Sequence, residues 1–207
     1  MPLSQPGNPT LHIDGPAGRL TARYDAVAVA CTAQAVLCHP HPQYGGSMDD
    51  AVLATVAERL LAAGIGVLRF NFRGVGGSDG TYDGGDGEVA DLLAATAWLR
   101  REQATGPLWA GGYSFGAWVT WRALAAGLQA DRILLIAPPV GAMTFAAGPL
   151  PDIAFAIAGD ADDFVDGAAL QALPGVDTTI IAGCDHFFSG AHEELAAAVD
   201  RVLNDQA

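Results

Sequence analysis

The sequence of 207 residues contains no lysine, because all ten of its basic residues are arginine. Without lysine the chain cannot form a Schiff base or a pyridoxal site, and it lacks the phosphate-binding lysine of P-loop enzymes and protein kinases. A Ser-Lys dyad is excluded for the same reason. Any nucleophilic chemistry must therefore use other side chains.

Positive charge is also scarce as a whole. Ten basic residues stand against 23 acidic ones, which gives a formal net charge of −13. This charge repels nucleic acid and anionic membranes and disfavours strongly anionic substrates. No stretch approaches the roughly 18 apolar residues that span a bilayer, and the first residues do not follow the pattern of a secretory signal. We expect a soluble, cytoplasmic protein with neither nucleic acid nor membrane as a partner.

Cysteine is limited to Cys31, Cys38 and Cys184. An odd and sparse set does not form a disulfide framework. Cys31 and Cys38 lie in or near an apolar run, where small buried thiols are common. For Cys184 two interpretations stay open, an inert packing residue and an oxidation-sensitive thiol.

Apolar residues are abundant: they make up 51% of the sequence, whereas charged residues make up 16%. With this length they predict one domain that spans residues 1–207. Short apolar strands alternate with helices after an initial hairpin, which predicts an α/β fold: a mostly parallel twisted sheet, an N-terminal antiparallel hairpin, helices on both faces and no large cap domain. The predicted strands are 11–13, 20–24, 35–39, 65–72, 108–113, 133–137, 153–158 and 178–181. The predicted helices are 48–63 with Ser47 as its N-cap, 88–101, 115–126 and 192–203.

Active and binding sites in such sheets lie beyond the carboxyl ends of the strands. The strand 108–113 runs directly into the sequence GYSFG at 112–116, which fits the pattern G-x-S-x-G. In a tight strand-to-helix turn this spacing lifts Ser114 above the sheet in a strained conformation, and the flanking glycines avoid clashes. We therefore predict Ser114 as a nucleophile.

A serine hydroxyl needs a base and an orienting carboxylate. Of the five histidines, only His186 follows a late strand and precedes the final helix. Three acids follow the strand 153–158, and Asp160, Asp162 and Asp163 all compete to orient the base. The chain order Ser114, Asp162, His186 is the order expected with a nucleophile elbow.

The same geometry requires an oxyanion hole made of backbone N–H groups. One donor is predicted at Phe115, directly after the serine. The second must come from the loop after the strand 35–39, where two prolines lack the N–H group. His41 is the favoured donor, and Gln43 is the alternative.

The chain resembles the α/β-hydrolase superfamily, in particular a small, capless branch of predicted serine hydrolases related to dienelactone hydrolases. The shared blocks are CHP at 38–40, GGSM at 45–48, RFNFRGVG at 69–76 with Ser78, DGE at 86–88, GYSFGA at 112–117, GDAD at 159–162 and DHFF at 185–188. The resemblance implies an α/β-hydrolase fold and a Ser-His-Asp triad, and it selects Asp162 as the acid. Dienelactone hydrolases carry cysteine at the elbow, where this sequence has Ser114.

Two other patterns are weaker. The glycine-rich loop at 74–79 places Asp79 where a dinucleotide-binding loop needs its third glycine, and an acid there would repel a pyrophosphate. His39 and His41 lack the acid and further histidine that a metallo-hydrolase pattern requires. We expect no cofactor and no metal.

The substrate pocket is predicted from apolar residues near these positions. The segment 138–152, where a cap would be inserted, is short, and we expect an open site or a small flap around Met143 and Phe145. Tyr44 and Phe187 lie beside the predicted site residues. These four residues are candidates for lining the pocket.

The sequence supports a serine hydrolase that acts on a small carboxylic ester or thioester through an acyl-enzyme. Two alternatives remain: a catalytically silent binding or scaffold protein on the same fold, and a non-hydrolytic relative such as a lyase or perhydrolase. The natural substrate, the choice between ester and thioester, and the oligomeric state (monomer or homodimer) stay open.

Overall fold

The computed structural model describes residues 10–27, 31–103, 106–146 and 148–204. Its strands are β1 (Leu11–Gly15), β2 (Gly18–Asp25), β3 (Ala33–Cys38), β4 (Ile65–Phe70), β5 (Leu108–Tyr113), β6 (Arg132–Ile136), β7 (Ile153–Gly159) and β8 (Asp177–Ile181). Its helices are α1 (Ala51–Ala62), α2 (Asp86–Glu102), α3 (Phe115–Ala125), α4 (Gly167–Gln171) and α5 (His192–Asn204), and a short 3-10 helix covers Pro42–Tyr44.

All eight strands form one sheet in the order β1-β2-β4-β3-β5-β6-β7-β8. β1 and β2 form the predicted antiparallel hairpin, β2 pairs antiparallel with β4, and the remaining neighbours are parallel. One buried cluster joins the sheet to α2 and α3, and a second joins its other face to α1 and α5. Every residue of β3, β4 and β5 is buried, as expected for parallel strands covered on both faces. The predicted architecture is confirmed.

The start of α1 differs from the prediction. Asp50, not Ser47, caps the helix, because its carboxylate accepts the backbone N–H groups of Val52 and Leu53. The N–H group of Met48 donates instead to the Asn71 side chain, which keeps residue 48 outside the helix. Serine and aspartate are comparable N-caps, so composition alone could not decide between them. The five-residue helix α4 was not predicted, since one turn carries no readable periodicity.

The loop after β4 is fastened to the rest of the molecule by buried polar groups. Ser78 donates its hydroxyl to the carbonyl of Asn71 and accepts the N–H group of Thr21. Arg73 binds the carboxylate of Asp91 on α2 through its backbone N–H, Nε and Nη2, at 3.0, 3.0 and 2.8 Å. The glycine-rich stretch is therefore part of a firmly held turn below the carboxyl ends of the strands.

We predict that Asp91→Ala lowers the free energy of unfolding by about 3 kcal/mol, because it removes the buried carboxylate that binds Arg73 and leaves the guanidinium only the exposed Asp83 at 3.8 Å. The Asp91 side chain is fully buried and that of Arg73 is 11% exposed. Asp200→Ala is the control: it removes an ion pair with Arg59 that is more than a third exposed, and we expect a loss below about 1 kcal/mol. Urea unfolding measures both, and equal losses would contradict the prediction.

Candidate active site

Ser114 occupies the turn between β5 and α3. Its φ is +55°, a region that non-glycine residues rarely adopt and that stores strain. A Cβ on Gly112 would overlap the backbone of Gly116, and a Cβ on Gly116 would overlap the carbonyl group of Cys38 at the end of β3. Both glycines of the G-x-S-x-G pattern are thus required by close backbone approach, as the sequence predicts.

The structure brings Ser114, Asp162 and His186 together from the ends of three different strands. His186 Nδ1 lies 2.7 Å from Asp162 Oδ2, and His186 Nε2 lies 2.9 Å from Ser114 Oγ. Because a carboxylate only accepts hydrogen bonds, Nδ1 carries the proton and the lone pair of Nε2 faces the serine. The Asp162 side chain is completely buried, and that of His186 is 9% exposed. The arrangement can pass a proton from the serine hydroxyl to the imidazole.

The three aspartates that were candidates for orienting His186 lie in three different environments. Asp162 contacts His186, while Asp160 accepts the N–H group of Gly183 at 2.6 Å. Asp163 is exposed to solvent. Asp160 therefore ties the β7 loop to the loop that carries His186 and leaves Asp162 as the acid against the imidazole.

The loop that carries His186 is fixed from two directions. The buried hydroxyl of Tyr113 donates to the carbonyl of His186 at 2.9 Å, and burial raises the pKa of Tyr113, so it remains a donor. Asp185 accepts the N–H groups of Phe187 and Ser189, and these hydrogen bonds, with that of Ser189 first, hold its pKa below its usual value. The position of Tyr113 inside the G-x-S-x-G pattern gave no sequence signal for this role.

Cys184 is buried beneath this loop, at 2% exposure. Burial raises the pKa of its thiol, which disfavours the reactive thiolate. These properties favour the inert packing interpretation of Cys184.

The backbone N–H groups of Phe115 and His41 have no hydrogen-bond acceptor among the described residues. The N–H group of Gln43, the alternative donor, is already bound to His41 Nδ1 at 3.2 Å. Because Nδ1 accepts, His41 Nε2 carries the ring proton, and it lies 3.2 Å from the hydroxyl of Tyr82. Burial lowers the pKa of His41, against the opposing effect of the Glu88 charge.

His39 holds the loop that contains His41. Its ring is completely buried; Nδ1 lies 2.6 Å from the carbonyl of Pro40, and Nε2 accepts the N–H group of Phe72 at 3.1 Å. Burial lowers the pKa of His39 to about 4, so the ring is neutral. Both nitrogens are engaged, and no group of three or more metal-ligating side chains occurs in the described ranges. The sequence had offered His39 only as a weak metal ligand.

The predicted pocket residues divide into two places. Tyr44 and Phe187 are 86% and 63% exposed, and their rings contact His41 and His186 with centroids 4.7 and 5.5 Å apart. Phe164, which sequence reasoning missed, is 47% exposed and its centroid lies 4.7 Å from that of His186. Its only signal was its place two residues after Asp162.

Met143 and Phe145 lie on the β6–β7 connection instead. Phe145 packs against Trp121 with centroids 5.5 Å apart, and the indole N–H of Trp121 donates to the carbonyl of Ala146 at 2.7 Å. Met143 is half-buried and packs against the cluster on the α2–α3 face. A groove of about 670 Å³ separates α3 from this connection, and neither Ser114 nor His186 lines it. The structure therefore brings Tyr44 and Phe187, and not Phe145, next to the histidines of the site.

A protein-family model described as serine aminopeptidase, S33, matches residues 34–171. The chain belongs to this family. The hydrolase is similar to a solved α/β serine hydrolase of Xanthomonas campestris that is described as having no lid. The two are 36% identical with a TM-score of 0.90, and the match covers 100% of this chain and 98% of the other.

Two further relatives agree with this assignment. An α/β serine hydrolase homologue of Coxiella burnetii is 32% identical with a TM-score of 0.85, and the match covers 94% of the hydrolase and 97% of that chain. An uncharacterised protein of Rickettsia prowazekii is 35% identical over an alignment of 212 positions, gaps included, which covers 94% of the hydrolase and 88% of that protein. Within the described ranges, no helix is long and apolar enough to cross a membrane.

We predict a pH-dependent contribution of His39 to stability. Its pKa is about 4 in the fold against 6.5 in the unfolded chain, so the stabilisation is complete above the unfolded pKa and is lost as the pH falls towards 4. At pH 7 we expect His39→Gln to be less stable than the wild type. When the pH is lowered from 7 to 4.5, the free energy of unfolding should fall in both proteins, but by about 2 kcal/mol less in His39→Gln, which has no imidazole to protonate. Urea titrations at both pH values measure this, with the exposed His12→Gln as the control. Parallel losses in wild type and His39→Gln would rule the effect out.

Proposed function

We propose that the hydrolase cleaves carboxylic esters and thioesters through an acyl-enzyme formed on Ser114. The single observation that carries this proposal is the continuous hydrogen-bonded chain from Asp162 through His186 to Ser114 Oγ, with steps of 2.7 and 2.9 Å. A nucleophile, a base and an orienting acid in this order are the minimum for acyl transfer.

In the proposed reaction, Ser114 Oγ attacks the carbonyl carbon while His186 Nε2 takes the hydroxyl proton. Asp162 stabilises the resulting imidazolium. The tetrahedral oxyanion accepts hydrogen bonds from the N–H groups of Phe115 and His41, and His186 then gives its proton to the leaving alcohol or thiol as the bond to it breaks. Water repeats the sequence on the acyl-enzyme and releases the acid.

The hydrogen bonds of the loop after β3 support His41 over Gln43 as the second oxyanion donor. The N–H group of His41 is without an acceptor among the described residues, whereas that of Gln43 is bound to the His41 ring. Gly116 allows the start of α3 to approach the backbone of Cys38 and His39, which brings the Phe115 N–H group towards the same loop. Donors that are already oriented need no reorganisation when the oxyanion forms.

The alternative functions differ in the products that they would form. A silent binding protein would have no reason to keep the connected Ser114, His186 and Asp162. A lyase or perhydrolase could use the same residues, so product analysis separates these from hydrolysis. The aminopeptidase activity in the family's description predicts cleavage of an aminoacyl p-nitroanilide. An ester hydrolase without peptidase activity should leave the anilide intact while it turns over a p-nitrophenyl ester.

We predict that Ser114→Ala lowers kcat on a p-nitrophenyl ester by about 10⁴-fold or more, and that Asp162→Asn lowers it by about 10⁴-fold through loss of the correct tautomer of His186. Asp163→Asn, next in the chain and exposed, is the matched control and should keep wild-type activity. The measurement is hydrolysis of the series from acetate to dodecanoate.

A fluorophosphonate provides the second readout for these variants. It should label Ser114 in the wild type and in Asp163→Asn, but not in Ser114→Ala. A folded wild-type protein that neither turns over the esters nor becomes labelled would refute the serine-hydrolase mechanism. Equal losses in Asp162→Asn and Asp163→Asn would refute the assignment of Asp162.

A pair of substitutions at residue 41 tests the second oxyanion donor. The φ of His41 is −57°, a value that proline adopts, so His41→Pro removes the N–H group at a compatible backbone conformation. We expect a loss of about 10²–10³-fold in kcat. His41→Ala removes the ring but keeps the N–H group, and should lose about tenfold or less. Comparable losses in the two variants, at comparable free energies of unfolding, would argue against this donor.

A further inference from the structure

The exposed large hydrophobic side chains of the described residues are three in number, and all of them surround the proposed catalytic centre. They are Tyr44, Phe164 and Phe187, at 86%, 47% and 63% exposure. Tyr44 contacts the ring of His41, whereas both phenylalanines contact the ring of His186. Exposed apolar groups gathered at one place mark a binding surface, whereas single scattered ones carry no such meaning.

The two phenylalanines are held in place by the acids of the site. The N–H group of Phe164 donates to Asp162 Oδ1 at 2.8 Å, and that of Phe187 donates to Asp185 Oδ1 at 3.1 Å. The neighbouring Phe188 is fully buried in the core, which anchors the loop and leaves Phe187 turned outwards. The backbone of each exposed ring is therefore fixed before any ligand arrives.

In the proposed reaction, the alcohol portion of the substrate lies next to these rings. His186 must reach the leaving oxygen in order to protonate it, so the alcohol portion of an ester lies beside the imidazole. Phe164 and Phe187 contact that imidazole with centroids 4.7 and 5.5 Å away and interplanar angles of 50° and 85°. The oxyanion lies instead towards the N–H group of His41, whose ring contacts Tyr44.

We propose that Phe164 and Phe187 form a leaving-group subsite for an uncharged aromatic alcohol, and that the preferred substrates are neutral esters of arylmethyl type. This inference rests on the proposed function. Two tilted rings offer a third ring edge-to-face and offset contacts beyond those of an aliphatic group of equal size. Asp163 directly precedes Phe164, and Asp185 lies two residues before Phe187. Their charges disfavour a leaving group that carries a carboxylate.

The β6–β7 connection has two anchors. Its start lies beside the Phe164 loop, where the N–H group of Gly141 donates to the carbonyl of Phe164 at 3.3 Å. Its middle is bound to α3, because the indole N–H groups of Trp118 and Trp121 donate to the carbonyls of Thr144 and Ala146 at 3.0 and 2.7 Å. Neither anchor uses the Phe164 or the Phe187 ring, which both stay exposed. Selection of the alcohol then depends on the two phenylalanine rings.

The test compares benzyl, cyclohexylmethyl and ethyl acetate. All three form the same acetyl-enzyme, so differences in kcat/KM report only the alcohol, and the three alcohols have similar acidity. In the wild type we expect kcat/KM for benzyl acetate to exceed that for ethyl acetate by about tenfold or more. The Phe164→Ala/Phe187→Ala variant should reduce this ratio to about threefold or less, and Phe187→Leu should lower the ratio of benzyl to cyclohexylmethyl acetate.

Tyr44→Ala is the matched control, since it removes the third exposed ring, which contacts His41 and not His186, and it should leave the benzyl-to-ethyl ratio unchanged. Fluorophosphonate labelling of Ser114 at the wild-type rate checks that His186 is still in place in each variant. A wild type without preference, or variants that slow all three acetates alike, overturn the subsite while the proposed function stands. No turnover of any acetate also overturns the subsite, and absence of labelling then overturns the proposed function with it.

Discussion

The site depends on close backbone contact between loops that leave different strands. At Gly116 the turn after β5 touches the carbonyl of Cys38, and at Gly159 the end of β7 touches the backbone of Cys184; a Cβ at either position would overlap these atoms. The first contact brings the start of α3 to the loop that contains His41. The second brings the Asp162 loop against the His186 loop. Since interiors are close-packed and transmit strain, a shift at either contact would move the proposed catalytic groups relative to each other.

Polar side chains then fix each loop in one conformation. His39 joins the end of β3 to the loop after β4, Asp160 joins the β7 loop to Gly183, and the Tyr113 hydroxyl holds the carbonyl of His186. His39 and Tyr113 are buried and have their hydrogen-bond partners, as burial requires, whereas Asp160 lies at the surface. These contacts hold the loops around Ser114, whose strained backbone persists only where the surrounding structure is rigid.

The fold could be predicted from the sequence because it depends on the local order of elements: alternating strands and helices predict a parallel sheet. The G-x-S-x-G pattern was readable because it lies directly between a strand and a helix. The contact of Gly112 lies within this turn, whereas that of Gly116 reaches Cys38 on another strand. The choice among Asp160, Asp162 and Asp163 depends on which carboxylate faces a histidine 24 residues later, a distance that no local pattern encodes. Similarly, Phe187 is exposed whereas the adjacent Phe188 is fully buried, because Phe188 packs in the core cluster on the α1–α5 face of the sheet. Phe145 was expected near the site, but the Trp121 indole holds its segment on α3.

An open site changes how an enzyme of this kind can select its substrate. A lid encloses the ligand and lets many weak contacts accumulate, whereas here the β6–β7 connection is bound to the outer side of α3 by two indole N–H groups. Under the proposed mechanism, binding energy comes from a few exposed rings, and rings in contact with the imidazole act on the part of the substrate that the imidazole protonates. Interactions near the reacting bond are those that differ most between ground state and transition state. The proposed mechanism therefore predicts discrimination through the rate of acylation more than through affinity, which is why the alcohol portion is the informative variable.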